Sequence, residues 1–444
     1  MIKPDNIPSQ ILQAIRLLNE HGFDAYLVGG SVRDLLHNQT PVDYDLTTSA
    51  QPEQISQVFA DFQVIPIGLK FGTVSVIIEQ MPIEITTFRI ETEYTDFRHP
   101  NQVRFSTSLK ADLARRDFTI NAIAFHPDIG LIDPFSGYQD LKNKIIRTVG
   151  QPQERFAEDA LRILRALRFA ASLGFSVEDQ TTKAIHQFRS LLKNISQERI
   201  QHEFRQIMIS SDLHAILYDF RDIFAVFIPD LAATFDFEQH NPYHEYDVFR
   251  HTIEVICNTP PELDLRLAAL YHDIGKPAAF SIDSKGIGHF YQHPQVSAEI
   301  ARCNMQELKF EKKLIDRVET LVRYHDYPLE LDQVILKRRL RKFGSDLLYK
   351  LILLKKADIT GKSEAIRYEL IDYFNQISLM LDKIIRSKPA LQVTDLEIDG
   401  YDAMALGLQG PQIGLALNQI LDLVLNEKLE NKREPLLEAL KAIV

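Results

Sequence analysis

Apolar and polar positions follow two different periods along the chain, and the change from one to the other divides it. In the first 148 residues the periods mix. Ile7 to Glu20 and Pro52 to Phe59 carry apolar residues at helical spacing, whereas Ala25 to Val28, Val74 to Ile78 and Ile83 to Phe88 are short strand-like runs rich in β-branched residues. The mixture predicts an α+β head. From about residue 153 the pattern is helical almost throughout, with Leu161, Leu164, Ala166, Leu167 and Phe169 interleaved with arginines. The linker-like Gln239-His240-Asn241-Pro242 precedes a histidine-rich region, and Ser387-Lys388-Pro389 suggests a further break before helical tail sequence. The expected divisions are a head over 1–148, an all-α neck over 149–239, a histidine-rich domain over 240–365 and a helical tail over 366–444. There is no internal repeat or low-complexity tract.

Size and composition narrow the class. A chain of 444 residues makes about three domains by the usual size prior, and 45% hydrophobic with 25% charged residues is ordinary for a soluble globular protein. No apolar run approaches the roughly 18 residues that span a bilayer, and Met1-Ile2-Lys3-Pro4-Asp5 lacks a signal-peptide pattern, so a cytoplasmic enzyme without membrane contact is expected. Cys257 and Cys303 are too few for a disulfide framework and are read as buried thiols. A formal charge of -11 excludes a chain that coats nucleic acid indiscriminately, so any RNA contact must come from local basic patches. The candidates are Arg162, Arg165 and Arg168 on one predicted helix, and Lys337-Arg338-Arg339 with Arg341-Lys342, for which a solvated helix face is the alternative.

The chemistry begins at Leu27-Val28-Gly29-Gly30-Ser31-Val32-Arg33-Asp34, followed by Val42-Asp43-Tyr44-Asp45-Leu46. In an extended segment side chains alternate, so Asp43 and Asp45 project to one side, flanked by Val42 and Leu46, and can hold Mg²⁺ together. Gly29-Gly30 permits close approach to a ligand, and the run Ser31 to Leu36 can open a helix whose free N–H groups face phosphates. The combination, with Arg33 between its halves, resembles the signature of polymerase-beta-type nucleotidyltransferases. Glu84, in a neighbouring strand pattern, is the candidate third acidic group; a solvent-facing strand glutamate is the alternative.

Two further constellations follow. In Leu113-Ala114-Arg115-Arg116-Asp117-Phe118-Thr119-Ile120-Asn121-Ala122-Ile123-Ala124 the apolar members can bury one helix face while Arg116, Asp117 and Asn121 serve a site. A salt-bridged helix, or a cap at Thr119, explains the same residues. In Gln153 to Phe169, arginines three apart lie at adjoining helix positions and can share an anion or a pair of carboxylates; salt bridges to Glu158 and Asp159 are the alternative.

Taken together these residues resemble the bacterial class II CCA-adding enzymes, tRNA nucleotidyltransferases related to bacterial poly(A) polymerase. The resemblance runs from residue 20 to about 210. It implies a catalytic, Mg²⁺-binding pair at Asp43 and Asp45, phosphate contacts at Gly30 and Arg33, and a nucleotide-site motif over 115–122 that includes Arg116. It also implies a base-reading motif at Glu158, Asp159 and Arg162, followed by Arg165 and Arg168, and a neck motif over Gln197-Glu198-Arg199-Ile200-Gln201-His202-Glu203-Phe204. The base-reading logic can be stated from hydrogen bonding alone. Cytosine and adenine both present an amino donor beside a ring-nitrogen acceptor, whereas uracil and guanine present the opposite order. An aspartate accepts and an arginine donates, so Asp159 and Arg162 side by side would admit C and A and leave unpaired groups against U and G. Glu93-Tyr94-Thr95-Asp96-Phe97-Arg98-His99-Pro100 resembles the loop used in switching from C to A. His99 stands where related sequences often carry a second arginine, which leaves open whether both nucleotides are added.

The histidine-rich region supplies a second set: His251, the adjacent His272-Asp273, and Asp358. Neutral imidazole with carboxylate suits a divalent transition metal such as Ni²⁺ or Mn²⁺, and the order resembles the HD phosphohydrolase metal site. His293 and His325 match positions that extend such sites to a second metal or to phosphate. The tail segments Asp399-Gly400-Tyr401-Asp402 and Leu408 to Gly414 resemble the family's tRNA-docking region.

The expectation is a polymerase-beta-like head followed by an all-α neck, an HD domain and a helical tail, adding C, C and A to the tRNA 3′ end from CTP and ATP with release of pyrophosphate. Phosphohydrolase action on RNA 3′ ends would accompany it. The rivals are an A-adding enzyme or poly(A) polymerase with the same head, an HD phosphohydrolase as the main activity, and an RNA-binding protein with a silent head.

Overall fold

The computed structural model describes residues 2, 4–66, 71–94, 100–240, 246–360 and 364–443. Their contacts divide into two compact units, Met1–Pro229 and Asp230–Val444.

The first unit is built on a mixed sheet. Its strands run in the order Gln63–Ile65, Thr73–Ile78, Met81–Thr87, Asp45–Thr48, Ala25–Val28, Ala124–His126, Gly130–Ile132. Neighbours are antiparallel except Asp45–Thr48 with Met81–Thr87, which are parallel. All four residues of Ala25–Val28 are buried because alternation sends them to opposite faces of the sheet and both faces are covered. Leu27 joins Ile11, Ile15, Leu18 and Ile55 of the helices Ser9–Glu20 and Pro52–Val58 in one apolar layer. Tyr26 and Val28 turn the other way, onto Phe88, Leu113, Ala122 and Val149. Each fully buried side chain of this kind contributes about 1.5–3 kcal/mol. The expected elements are present with small shifts, the first helix starting after Pro8 rather than at Ile7.

The segment 113–124 departs from expectation, because it forms no continuous helix. The helix Leu109–Ala114 ends there, a single 3-10 turn spans Thr119–Asn121, and Ala124 enters the sheet. Thr119 is not a cap; its hydroxyl donates to Asp140 at 2.7 Å. A hairpin pairs Arg89–Tyr94 with Pro100–Phe105. Thr95 to His99, the centre of the expected C-to-A switching loop, lie outside the described residues. Beyond the sheet, the neck helices Leu161–Leu173 and Gln197–Met208 pack together.

Among its described residues, the second unit is helical apart from one small hairpin, Phe280–Ile282 with Gly288–Phe290. Helices Val248–Cys257, Leu263–Tyr271, His293–Glu307, Lys312–Tyr324 and Gln333–Thr360 make up its first part. Helices Pro411–Leu425 and Arg433–Ile443 form a separate apolar core around Leu417, Ile420, Leu421, Leu436 and Leu440. Asp399 caps the helix Gly400–Ala405, and Asp402 returns the bond to the Asp399 amide at 3.0 Å. Of the expected linker, Asn241 and Pro242 lie outside the described residues, while Gln239 is buried.

Two expectations are corrected here. The basic run at 337–342 is neither bare nor simply solvated. Lys337 pairs with Glu427 at 2.7 Å and Arg341 with Asp422 at 3.0 Å, while Arg339 and Lys342 lie over the rings of Tyr327 and Tyr324 at 4.2 and 4.1 Å. Its cations hold the Gln333–Thr360 helix to the tail and to neighbouring aromatics. The cysteines are not both buried: Cys257 is half-buried and Cys303 exposed, on the outer face of the His293–Glu307 helix. Among the described residues, no helix is long and apolar enough to cross a membrane.

Candidate functional site

The start of the central strand of the head sheet, Asp45–Thr48, carries the first site. Asp43 precedes the strand that Asp45 opens, and both are exposed while Tyr44 and Leu46 are buried, so the two carboxylates share a side as alternation requires. Val42 is not an apolar flank but is 91% exposed. Parallel pairing aligns Glu84 with Asp45. Three carboxylates meet here. Loss of surrounding water raises the Asp45 pKa, the Glu84 charge raises it further, Arg116 opposes, and Asp43 adds to the rise. Such a cluster is short of a positive charge, and its oxygen-only donors fit a hard divalent cation.

Above these carboxylates lies a cavity of about 590 Å³, ample for a nucleotide. Gly29 and Gly30 form one wall at the start of the helix Gly30–Leu36. Gly29 sits at φ +72°, a backbone conformation that favours glycine, and a Cβ there would stand 3.0 Å from the mobile end of Arg116. Arg33 donates to Asn121 at 2.9 Å and to Asp34 at 2.8 Å. Asp117 takes two bonds from Arg165, at 2.8 and 2.6 Å, and one from the Asn121 amide at 3.1 Å. Burial alone would raise the Asp117 pKa, but the Arg165 charge and these bonds outweigh it and hold it at about 2.

The helices Pro152–Glu158 and Leu161–Leu173 complete the cavity. Asp159 and Arg162 both line it, on either side of the junction between them. Their backbones are joined, the Arg162 N–H donating to the Asp159 carbonyl at 3.1 Å, while their side chains have other partners. Asp159 accepts from Leu161 N–H at 3.0 Å and from Arg199 of the neck helix at 3.0 Å, while Arg162 binds Glu158 at 2.7 Å and the Arg115 and Arg155 carbonyls at 3.2 Å. The arginines at 162, 165 and 168 all make ion pairs within the protein, the Arg162–Glu158 bridge among them as the alternative reading has it. Each has its own carboxylate, Glu158, Asp117 and Glu203. Phe169 ties them together, with Arg168, Arg33 and Arg165 over its ring at 4.2, 5.2 and 5.5 Å.

Of the residues expected at this site, Gly30, Arg33, Asp45, Arg116, Asp159, Arg162 and Arg165 line the cavity. Asp43 stands beside it, and Arg168 supports Phe169 from behind. Arg89, Arg115, Phe169 and Arg199 also line it and were not assigned roles from sequence. Arg199 belonged to a quoted neck motif, the one signal available for it.

The second site lies in the other unit. His251 and Asp358 come from two helices, and His272 and Asp273 from the end of a third, Leu263–Tyr271. His251 Nε2 is 2.9 Å from Asp358, 3.6 Å from Asp273 and 3.4 Å from His272 Nε2, and His272 Nε2 is 3.2 Å from Asp273. His293 and His325 approach the other Asp273 oxygen at 3.3 and 3.8 Å. Two groups, His251-His272-Asp273 and Asp273-His293-His325, are thus each close enough to hold one ion, sharing Asp273. His272, His293 and His325 place Nδ1 at 2.7–2.8 Å from the carbonyls of Ala269, Phe290 and Val322. If Nδ1 carries the proton in each, Nε2 is left as a ligand.

Burial pushes His272 down but the Asp273 and Asp358 charges raise it overall. Asp273 is held well below the usual carboxylate range by His272 and Lys276 against its burial. Burial and the His272 charge push His325 down to about 3. The ionised Asp273 and the neutral His325 are donors a transition metal takes, and an ion bound at His272 would displace its proton. A cavity of about 370 Å³ opens onto Asp273, Lys276, His293, His325 and Asp358; His251 and His272 are buried beneath it.

Comparison with known proteins agrees with this layout. The Poly A polymerase head domain family matches residues 25–147, the "probable RNA and SrmB-binding site of polymerase A" family matches 174–235, and the HD domain family matches 248–361. The chain is 34% identical to the CCA-adding enzyme of Enterococcus faecalis over 99% of its own length and 98% of that protein's. It is 49% identical to the CCA-adding enzyme of a Geobacillus species over 44% of its length and 48% of that relative's. The crystal structure of Bacillus stearothermophilus CCA-adding enzyme in complex with CTP superposes with a TM-score of 0.72 at 27% identity, covering 100% of this chain and 98% of that one.

Proposed function

The chain belongs to the CCA-adding enzyme family, and we propose that it adds C, C and A to the 3′ end of tRNA from CTP and ATP, releasing pyrophosphate. The observation that carries this reading is the convergence of Asp159 and Arg162 with Asp45 in one arginine-lined cavity. Asp43 and Asp45 hold Mg²⁺ with Glu84 beside them. Bound there, Mg²⁺ supplies activation of the RNA 3′-hydroxyl and neutralises charge on the leaving pyrophosphate. Gly30, Arg33, Arg116, Arg165 and Arg168 bind or orient the triphosphate. Asp159 accepts from the base amino group and Arg162 donates to the ring nitrogen, so both bases of the added triplet are read by protein alone. The complex of the Bacillus stearothermophilus enzyme with CTP supports CTP as a ligand.

The division into head 1–148, neck 149–239, HD domain 240–365 and tail 366–444 belongs to the same reading, with the matched spans as support. Neck and tail hold the tRNA, and with tRNA as substrate the work is cytoplasmic. The test is to offer tRNA lacking the triplet, and tRNA already extended by C or by CC, with CTP and ATP supplied separately, and to sequence the ends. Addition of A alone on every substrate would make the chain an A-adding enzyme or poly(A) polymerase.

The histidine cluster favours a second activity. His251, His272, Asp273 and Asp358 would hold a divalent transition metal, with His293 and His325 extending the site, for hydrolysis of phosphoesters at RNA 3′ ends. Metal analysis of the purified chain, and incubation with RNA ending in a 2′,3′-cyclic phosphate, test it.

A further inference from the structure

One wall of the HD cavity serves neither metal group. It is the second strand of the hairpin Phe280–Ile282/Gly288–Phe290, with Tyr291 and Gln292 after it. The hairpin is firmly seated. The Gly288 N–H donates to the His240 carbonyl at 2.9 Å, and a Cβ at Gly288 would stand 2.3 Å from the Gln239 carbonyl oxygen. Phe280 packs edge-on against Phe237 at 5.3 Å and tilted against Phe290 at 5.5 Å.

Tyr291 leaves this packing. It is 72% exposed, and its ring lies on that of His289 with centroids 5.4 Å apart and planes within 10°. His289 is itself held by Asp283 at 3.1 Å. The next residue, Gln292, adopts φ +61°, a left-handed conformation uncommon outside glycine, and its turn separates Tyr291 from His293, which reaches Asp273 at 3.3 Å. Tyr291 and His293 therefore line the same cavity, two residues apart in sequence, one offering an open aromatic face and the other an imidazole nitrogen. Lys276, paired with Asp273 at 2.7 Å, and the first turn of the His293–Glu307 helix also line this cavity.

We propose that Tyr291, backed by His289, is a nucleobase-stacking platform that binds nucleoside phosphates with their phosphate directed at the histidine cluster; this rests on the phosphoester reading of that cluster. Stacking on an aromatic face tolerates any base, and it selects nucleoside phosphates over base-free ones.

The test uses the full chain loaded with Mn²⁺ and calorimetric titration with adenosine 3′-phosphate, ribose 5-phosphate and inorganic phosphate. The head is the same in every variant, so its contribution cancels. The preference for adenosine 3′-phosphate over ribose 5-phosphate should fall roughly five- to hundredfold in Tyr291→Ala and persist in Tyr291→Trp. An unchanged preference in Tyr291→Ala, with phosphate binding intact, overturns the platform alone. If the wild type binds no phosphate in a manner lost on Asp273→Ala, the phosphoester reading falls and the platform with it.

Discussion

The head cavity and the HD cavity are organised by opposite means. In the head, nearly every functional side chain is held by an ion pair: Arg162 by Glu158, Arg165 by Asp117, Arg168 by Glu203, Asp159 by Arg199. In the HD cavity the imidazoles are oriented by backbone carbonyls at Ala269, Phe290 and Val322. Ion pairs keep charged side chains extended into a wet cavity and can be exchanged for a ligand's charges. Carbonyl bonds fix the ring's orientation and leave its other nitrogen pointed at one place. The first arrangement suits a substrate that arrives and leaves; the second suits an ion that stays.

Breaking the carboxylate cluster should have the largest effect. Asp45→Ala or Asp43→Ala is expected to lower nucleotide addition by about 10³-fold or more while sparing tRNA binding, because metal-borne charge stabilisation amounts to several kcal/mol. Single-turnover addition and filter binding on the same preparations would show it, and near-normal addition by both variants would remove the catalytic assignment.

The HD side is broken by His272→Ala or Asp273→Ala. Either should strip bound transition metal and abolish phosphoester hydrolysis, yet leave addition within a few-fold, since the ligands belong to the other compact unit. Loss of addition as well would show the two sites to be coupled.

The ion pairs of the head can be tested one at a time. Arg162→Ala should relax discrimination against UTP and GTP by about 10- to 100-fold, because the ring-nitrogen donor is lost. Asp159→Ala should weaken the contact to the amino group. Arg199→Ala should act in the same direction but less, since it removes only the residue that orients Asp159. Four-nucleotide competition assays rank the three, and unchanged selectivity in all would place the template elsewhere.

The smallest expected effect is a stability difference with pH. Asp117 lies at about 2 in the folded chain, below its ordinary value of 3.8. Its stabilisation is therefore fully present above about pH 4 and lost as pH falls toward 2, amounting to about 2 kcal/mol. Urea unfolding of the wild type and Asp117→Asn across that range should converge at the acid end. A constant difference would mean that the Arg165 pair contributes nothing to folding.

Much of this molecule is determined locally. Gly29-Gly30, the alternation around Asp43 and Asp45, the strand runs and the helical period after residue 153 each depend on neighbours a few positions apart, which is why sequence alone anticipates those elements and orders the motifs. The segment 113–124 shows the limit, since its apolar residues divide between two cores, Ile123 in one and Leu113, Ala122 and Ala124 in the other, instead of lining one helix face. Register decided that Glu84 stands beside Asp45, because only pairing of strands about forty residues apart can align them. Likewise Arg199 meets Asp159 and Glu203 meets Arg168 only because two neck helices pack. The basic run at 337–342, open to several readings as sequence, is claimed by Glu427, Asp422 and aromatic rings. The sequence by itself determined which chemical groups exist and in what order. Which cation answers which carboxylate was left to the tertiary structure, because an ion pair depends on distance in space and periodicity constrains only distance along the chain.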